Sequence, residues 1–138
     1  MTFTQQVTSA ARYFTITESR RRSAGITADT PSNLRDPSNS VDNVVITHRD
    51  FYDSALRLAS HRATQGLSAS LVEVQDVQNE FSYGLLDLQA IGDFLTYSYE
   101  YWKPRPSYVL LVGDGNHDPR DNMGCGEPNY IPPLSGMR

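Results

Sequence analysis

His117 and Cys125 are the residue types of a base and a thiol nucleophile, and both lie in the polar stretch after Gly113-Asp114-Gly115. A Cys–His pair works when thiolate, base and oxyanion donors are each held on rigid elements. Here both residues share one loop and glycines flank the cysteine, so an unpaired loop cysteine and a surface histidine are expected. The same loop contains Gly115-Asn116-His117-Asp118. Its Asn and His are ligand types of two-metal hydrolytic centres, which gather their ligands from several strand ends. Only His48 stands at the end of another strand, too few for such a centre. Asp114, Asp118 and Asp121 offer oxygens to a hard cation such as Ca²⁺. The favoured expectation is that they cap the turn and accept from loop amides, with Asp114 tying down the loop after its strand. His48 is expected to hydrogen-bond where the following helix begins. The candidate site is therefore the strand-end loop Asp114, Asn116, His117 and Asp118, with no catalytic residue, metal or cofactor assigned to it.

The elements that position this loop run from Asn43 to Asp118. Val44-Val45-Ile46-Thr47 reads as a short buried strand. Asp50 is expected to cap a helix, with Asp53 in its first turn where the helix dipole favours a negative charge. Phe51, Ala55, Leu58, Ala59 and Ala63 recur at helical spacing, and Gly66 closes the helix in the left-handed position. Residues 69–74 form the second strand, and Glu73 points to a position near a sheet edge. Residues 77–83 read as a loop. Asp87 is expected to cap a second helix lined by Leu88, Ile91, Leu95, Ser98 and Trp102, with Phe94 and Tyr99 beside that face. Gly92 inside it suggests close packing on the sheet. Lys103-Pro104-Arg105-Pro106 stops the helix. Tyr108-Val109-Leu110-Leu111-Val112 follows, uncharged and apolar, the pattern of a fully buried central strand opening into a polar loop. Two strand–helix–strand units require parallel strands. The expected fold is α/β: a three-layer parallel sheet of order 2-1-3 with helices on both faces, a Rossmann-like half domain. In such sheets, sites form at the carboxyl ends of the strands.

Residues 1–40 are polar, rich in Ser, Thr and Arg, and read as an irregular arm with one strand expected at 12–17. Residues 41–138 form the expected domain. The 138 residues are enough for one ordinary domain. A net charge of −4 and a single short basic run, Arg20-Arg21-Arg22, argue against a nucleic-acid partner. One cysteine excludes an intrachain disulfide. No apolar run approaches the ~18 residues of a membrane span. The chain opens in mid-pattern and stops at Ile131-Pro132-Pro133-Leu134 and the residues after it without a closing element, so a piece of something longer is expected.

Four stretches carry a family resemblance. Asp42 to Phe51 (DNVVITHRDF), Val74 to Gly84 (VQDVQNEFSYG), Ala90 to Leu95 (AIGDFL) and Tyr108 to Asp118 (YVLLVGDGNHD) resemble, in order and spacing, the opening of gingipain-like cysteine peptidases. Asn33-Leu34-Arg35 fits the usual lead-in. The resemblance implies a caspase-like fold in two subdomains, with this chain as the first. It also implies a catalytic His and Cys further along in a missing C-terminal subdomain, protein or peptide substrates, and an extracellular or cell-surface location. No catalytic residue carries over onto this chain. A non-catalytic interaction domain of the same fold is the alternative. The Gly115–Asp118 run also resembles a motif of calcineurin-like metallophosphoesterases, which makes a metal-dependent phosphoesterase the third reading. If a fourth strand belongs beside 108–112, that edge is expected to self-associate, or to be covered by residues 119–138 or the arm.

Overall fold

The structure is a computed structural model that describes residues 4, 6, 8–10, 12, 15–23, 25–26, 28–119 and 121–133. The chain divides into two compact units, Met1–Thr30 and Pro31–Arg138. In the first, a 3-10 turn at Glu18–Arg20 is exposed throughout, and Arg21 Nη1 lies 3.3 Å from Glu18 Oε1. The expected strand at 12–17 falls partly outside the described residues. Thr17 is extended and precedes the turn.

In the second unit, three parallel strands form one sheet of order β2-β1-β3: β1 Asn43–Thr47, β2 Ala69–Glu73 and β3 Tyr108–Val112. Val45 stands opposite Leu71 on one side and Leu110 on the other. β1 is buried along its whole length, as its uninterrupted apolar run demands when both edges are paired and both faces covered. Asp42 fastens the start of all three strands. Its carbonyl accepts from Ser107 N (2.9 Å) and Tyr108 N (3.0 Å), and its Oδ2 accepts from Ser68 N (2.9 Å) and Ser68 Oγ (2.7 Å).

The order matches the sequence expectation, but the burial of β3 does not. An order of 2-1-3 makes β3 an edge strand, and Tyr108, Val109 and Leu111 are exposed. The apolar run resembled a central strand because side-chain pattern reports faces and carries nothing about whether the backbone edge is paired.

Helix α1, Tyr52–Thr64, packs the small side chains Ala55 and Ala59 on Val45, with Leu71, Leu110 and Val112 around them. Leu58, expected on that face, is more than a third exposed, and Ala63 is also exposed. Asp53 sits in the first turn and Gly66 is left-handed at φ +84°, both as expected. Asp50 is not the cap. His48 precedes a 3-10 turn, Arg49–Phe51, and its Nδ1 accepts from Asp50 N at 3.2 Å.

The opposite face is deeper. Residues 77–83, read as a loop, belong mostly to helix α2, Val74–Ser82, which follows β2 with no intervening residue. Val74, Val77, Gln78 and Ser82 are buried at helical spacing and Phe81 is half-buried. The helix is short and begins directly after the strand's last residue, so no loop or side-chain cap announces it. Tyr83 ends it at φ +56°, with Gly84 N donating to Gln78 O at 2.9 Å.

Helix α3, Ala90–Tyr101, buries Ile91, Phe94 and Ser98. Phe94 is central, against Phe81 (5.5 Å between ring centres) and Trp102 (5.7 Å), while Tyr99 is exposed. Asp87 Oδ1 accepts from Gln89 N just ahead of the helix. Gly92 does not meet the sheet, because a Cβ there would lie 2.7 Å from Gln89 Nε2.

Residues 31–36 pack on this layer. Leu34 is buried in its core, and Trp102 Nε1 donates to Leu34 O at 3.2 Å. The Glu80 carboxylate accepts from Ser32 Oγ, Leu34 N (2.9 Å) and Arg35 N (3.0 Å), and Glu80 O accepts from Arg35 Nε (3.1 Å) and Nη2 (3.0 Å). One glutamate thus holds the segment. Among the described residues no helix is long and apolar enough to cross a membrane.

Two predictions follow from these contacts. Glu80→Gln turns one acceptor into a donor facing the amides of 34–35, and is expected to cost about 1–3 kcal/mol in urea unfolding. The second concerns acid. The Ser68 hydroxyl, and then the Ser68 amide, hold the Asp42 carboxyl below its ordinary value of 3.8. A carboxyl lowered on folding stabilises the native state above its unfolded value, and that stabilisation is lost as pH falls through the folded value. Stability should therefore drop as pH falls below about 4, and Asp42→Asn should be less stable at neutral pH with a shallower decline over that range.

Candidate functional site

Parallel strands put the carboxyl ends of β1 and β3 at the same edge of the sheet. β1 ends at Thr47 and delivers His48; β3 ends at Val112 and delivers Gly113-Asp114. The chain then leaves the sheet through 115–126 and returns at 127–133. Tyr130 N and Ile131 N both donate to Asp114 O at 3.0 Å. Ile131 is buried in the α2/α3 core, and Tyr130 wedges edge-on between His48 (5.1 Å) and Phe51 (4.8 Å). The returning segment thus closes over the end of the sheet.

Two glycines permit this. Gly113 has φ +147° and its missing Cβ would lie 2.8 Å from Ile131 Cγ1; at Gly115 a Cβ would lie 2.6 Å from Ile131 O. The second contact is with backbone, which cannot rotate away as a side chain can.

The four candidate loop residues divide. Asn116 is buried and organises the loop: its N–H donates to Asn129 Oδ1 (3.1 Å), its Nδ2 to Glu127 O (3.3 Å), and its Oδ1 accepts from Asp118 N (3.0 Å). Asp118 accepts from Met123 N (2.7 Å) and Asn122 Nδ2 (3.0 Å). The Met123 amide is the main reason its carboxyl is held below the ordinary value. Asp114 Oδ1 accepts from the next amide, Gly115 N, at 2.8 Å. His117 is exposed.

The carboxylates face loop amides, as expected of turn-capping groups. Asp121, itself at φ +50°, accepts from Gly126 N at 3.0 Å. Among the described residues no group of three His, Cys, Asp or Glu side chains converges on a metal position. Cys125 is exposed and unpaired. His48 uses Nδ1 as an acceptor for Asp50 N; the Asp50 carboxylate, at 3.6 Å from the same atom, is beyond hydrogen-bonding distance.

Sequence reasoning passed over Tyr130, Ile131 and Asn129. The signal lay in Gly113-x-Gly115, whose two glycines announce a close backbone approach, and in the apolar Tyr130-Ile131-Pro132 that supplies it. Among the described residues the buried Asn129 Nδ2 has no hydrogen-bond partner.

This arrangement is a braced loop at a sheet edge, and among the described residues no nucleophile and base are in contact in it. The sequence model described as peptidase family C25 matches residues 36–137. The chain belongs to peptidase family C25, the gingipain family of cysteine peptidases. The match spans all three strands and helices and the strand-end loop, so a C25 sequence signal and the parallel sheet coincide. Neither the comparison with curated proteins nor that with solved structures gave a match.

Gly115→Ala is expected to push residues 130–133 off the sheet end. Amide exchange at Tyr130 and Ile131 should rise at least tenfold while exchange at Val45 and Ile46 changes little. Unchanged exchange at 130–131 would contradict the close contact.

Proposed function

We propose that this chain is the supporting subdomain of a gingipain-like cysteine endopeptidase, on which a C-terminal catalytic subdomain carrying the His and Cys docks. The observation that carries this is the edge of β3. A C25 domain presents here an uncharged, apolar strand whose outer backbone edge has no partner strand among the described residues. Exposed edges of this kind are normally blunted by charge, proline or a bulge, and Tyr108–Val112 has none of these. A fourth strand from the catalytic subdomain supplies the missing pairing and continues the sheet as the caspase-like fold requires.

The chain's role is then architectural. β1 and β3 present the braced loop as one wall of a substrate cleft, and peptide hydrolysis takes place on residues supplied by the partner subdomain. His117 and Cys125 take no part. Substrates are proteins or peptides and, by family, the site of action is extracellular or at the cell surface.

The test compares this chain with a form continuing beyond Arg138 on a mixed peptide library, with and without a thiol-directed inhibitor. Thiol-sensitive cleavage by the longer form alone is expected. Cleavage by neither would favour a non-catalytic interaction domain of the same fold. In the chain alone the open edge should drive concentration-dependent self-association in sedimentation. Val109→Lys places a charge on β3 and should suppress that association without unfolding the protein; association unchanged by Val109→Lys would argue against the edge.

A further inference from the structure

A groove of about 250 Å³ lies on the outer side of α3, remote in sequence and composition from the strand-end loop. Asp93, Thr96, Tyr97, Glu100 and Tyr101 line it, at the three- and four-residue spacing of one helix stripe. Phe81 and Arg35 close its other side. The rings make a continuous wall: Phe81 and Tyr97 are 5.9 Å apart, and Tyr97 stacks on Tyr101 at 4.6 Å and 27°.

That wall already holds one cation. The Arg35 guanidinium lies 4.2 Å from the Phe81 ring centre and 5.7 Å from that of Tyr97. Arg35 is fixed there by its bonds to Glu80 O and by Tyr97 Oη, which donates to Arg35 O at 2.6 Å. Its charge is committed to the Phe81 end.

The other end carries two carboxylates with no ion pair among the described residues. α3 contains Asp93 and Glu100 and no Lys or Arg. Glu100 has no hydrogen bond or ion pair among the described residues, and Asp93 meets only Gln89 Nε2, at 3.4 Å, through its side chain. Glu100 also stands in the last turn, where the helix dipole disfavours a negative charge and favours a cation. A solvated helix face ordinarily pairs its carboxylates with Lys or Arg one turn away; this stripe sets tyrosines beside them in the groove. Aromatic faces beside unneutralised carboxylates select a guanidinium or an ammonium.

The spacing sharpens this. Seven residues of helix set Asp93 and Glu100 about 10.5 Å apart along the axis. An extended peptide covers roughly 10 Å in three residues. We propose that this groove is a docking site for an extended segment of a partner protein bearing basic side chains at positions i and i+3, one at each carboxylate, with the Tyr97–Tyr101 stack beneath.

The test is an NMR titration of the full chain at low salt with the peptide acetyl-Arg-Gly-Gly-Arg-amide. Saturable shifts confined to the α3 stripe are expected. Acetyl-Gly-Arg-Arg-Gly-amide, of the same composition and charge, should bind at least threefold more weakly. The neutral isostere acetyl-citrulline-Gly-Gly-citrulline-amide should give no saturable shift. Glu100→Gln and Tyr101→Leu, both on the exposed stripe, should each weaken the first peptide at least threefold while leaving the spectrum of the sheet unchanged. Equal response to the citrulline peptide, equal affinity for the two arginine spacings, non-saturating shifts spread over the surface, or unchanged affinity in Glu100→Gln would each overturn the proposal and leave a solvated helix face.

Discussion

The described residues from 31 to 133 depend on one strand that has no open edge. β1 is paired in parallel on both sides, and Asp42 just ahead of it holds the starts of β2 and β3 by carbonyl and carboxylate. Parallel pairing sends each connection back across a face of the sheet. It therefore dictates a helix layer on each side and brings the carboxyl ends of β1 and β3 to one edge. The two layers are unequal. α1 covers its face with alanines, a thin layer suited to close approach, while α2, α3 and the 31–36 segment build the deeper core around Phe94, Trp102 and Leu34.

The strand-end loop inherits its order from that sheet. Asp114 O receives Tyr130 and Ile131, so the chain leaving β3 is fastened by the chain returning to it. Asn116, Asp118 and Asp121 then spend their acceptors on loop amides. A loop braced in this way holds its shape. The oxygens of Asn116, Asp118 and Asp121 are thus turned inward to backbone amides.

Much of this was legible in the residues. Short apolar runs and period-3.6 patterns located three strands and two of the three helices; the strand–helix–strand units implied parallel strands, and the apolar richness of 44–47 and 108–112 implied the order 2-1-3. What pattern could not show was pairing. β3 has the side chains of a central strand and the position of an edge strand, because side-chain periodicity describes faces and hydrogen-bonded edges leave no mark on it. α2 escaped for a related reason: Glu73 is at once the last residue of β2 and the residue before the helix, so no turn residues separate the two. The Glu80 clamp was invisible because its partners lie more than forty residues away, although both Asn33-Leu34-Arg35 and the stretch containing Glu80 bear the family resemblance separately. In the site, the loop carboxylates were placed correctly as turn-capping groups, whereas Tyr130 went unnoticed because its role depends on a contact with His48 and Phe51 that only the folded sheet end creates.

The scaffold reading turns on whether β3 gains a neighbour. The most direct measurement is amide hydrogen exchange along Tyr108–Val112 in this chain, made monomeric by dilution, and in a form that continues beyond Arg138. A docked fourth strand predicts that the β3 amides not taken by β1 exchange freely in the short chain and become protected, by a hundredfold or more, in the long one. Equal exchange of those amides in both forms would contradict it, and would leave β3 as a true edge of the folded protein.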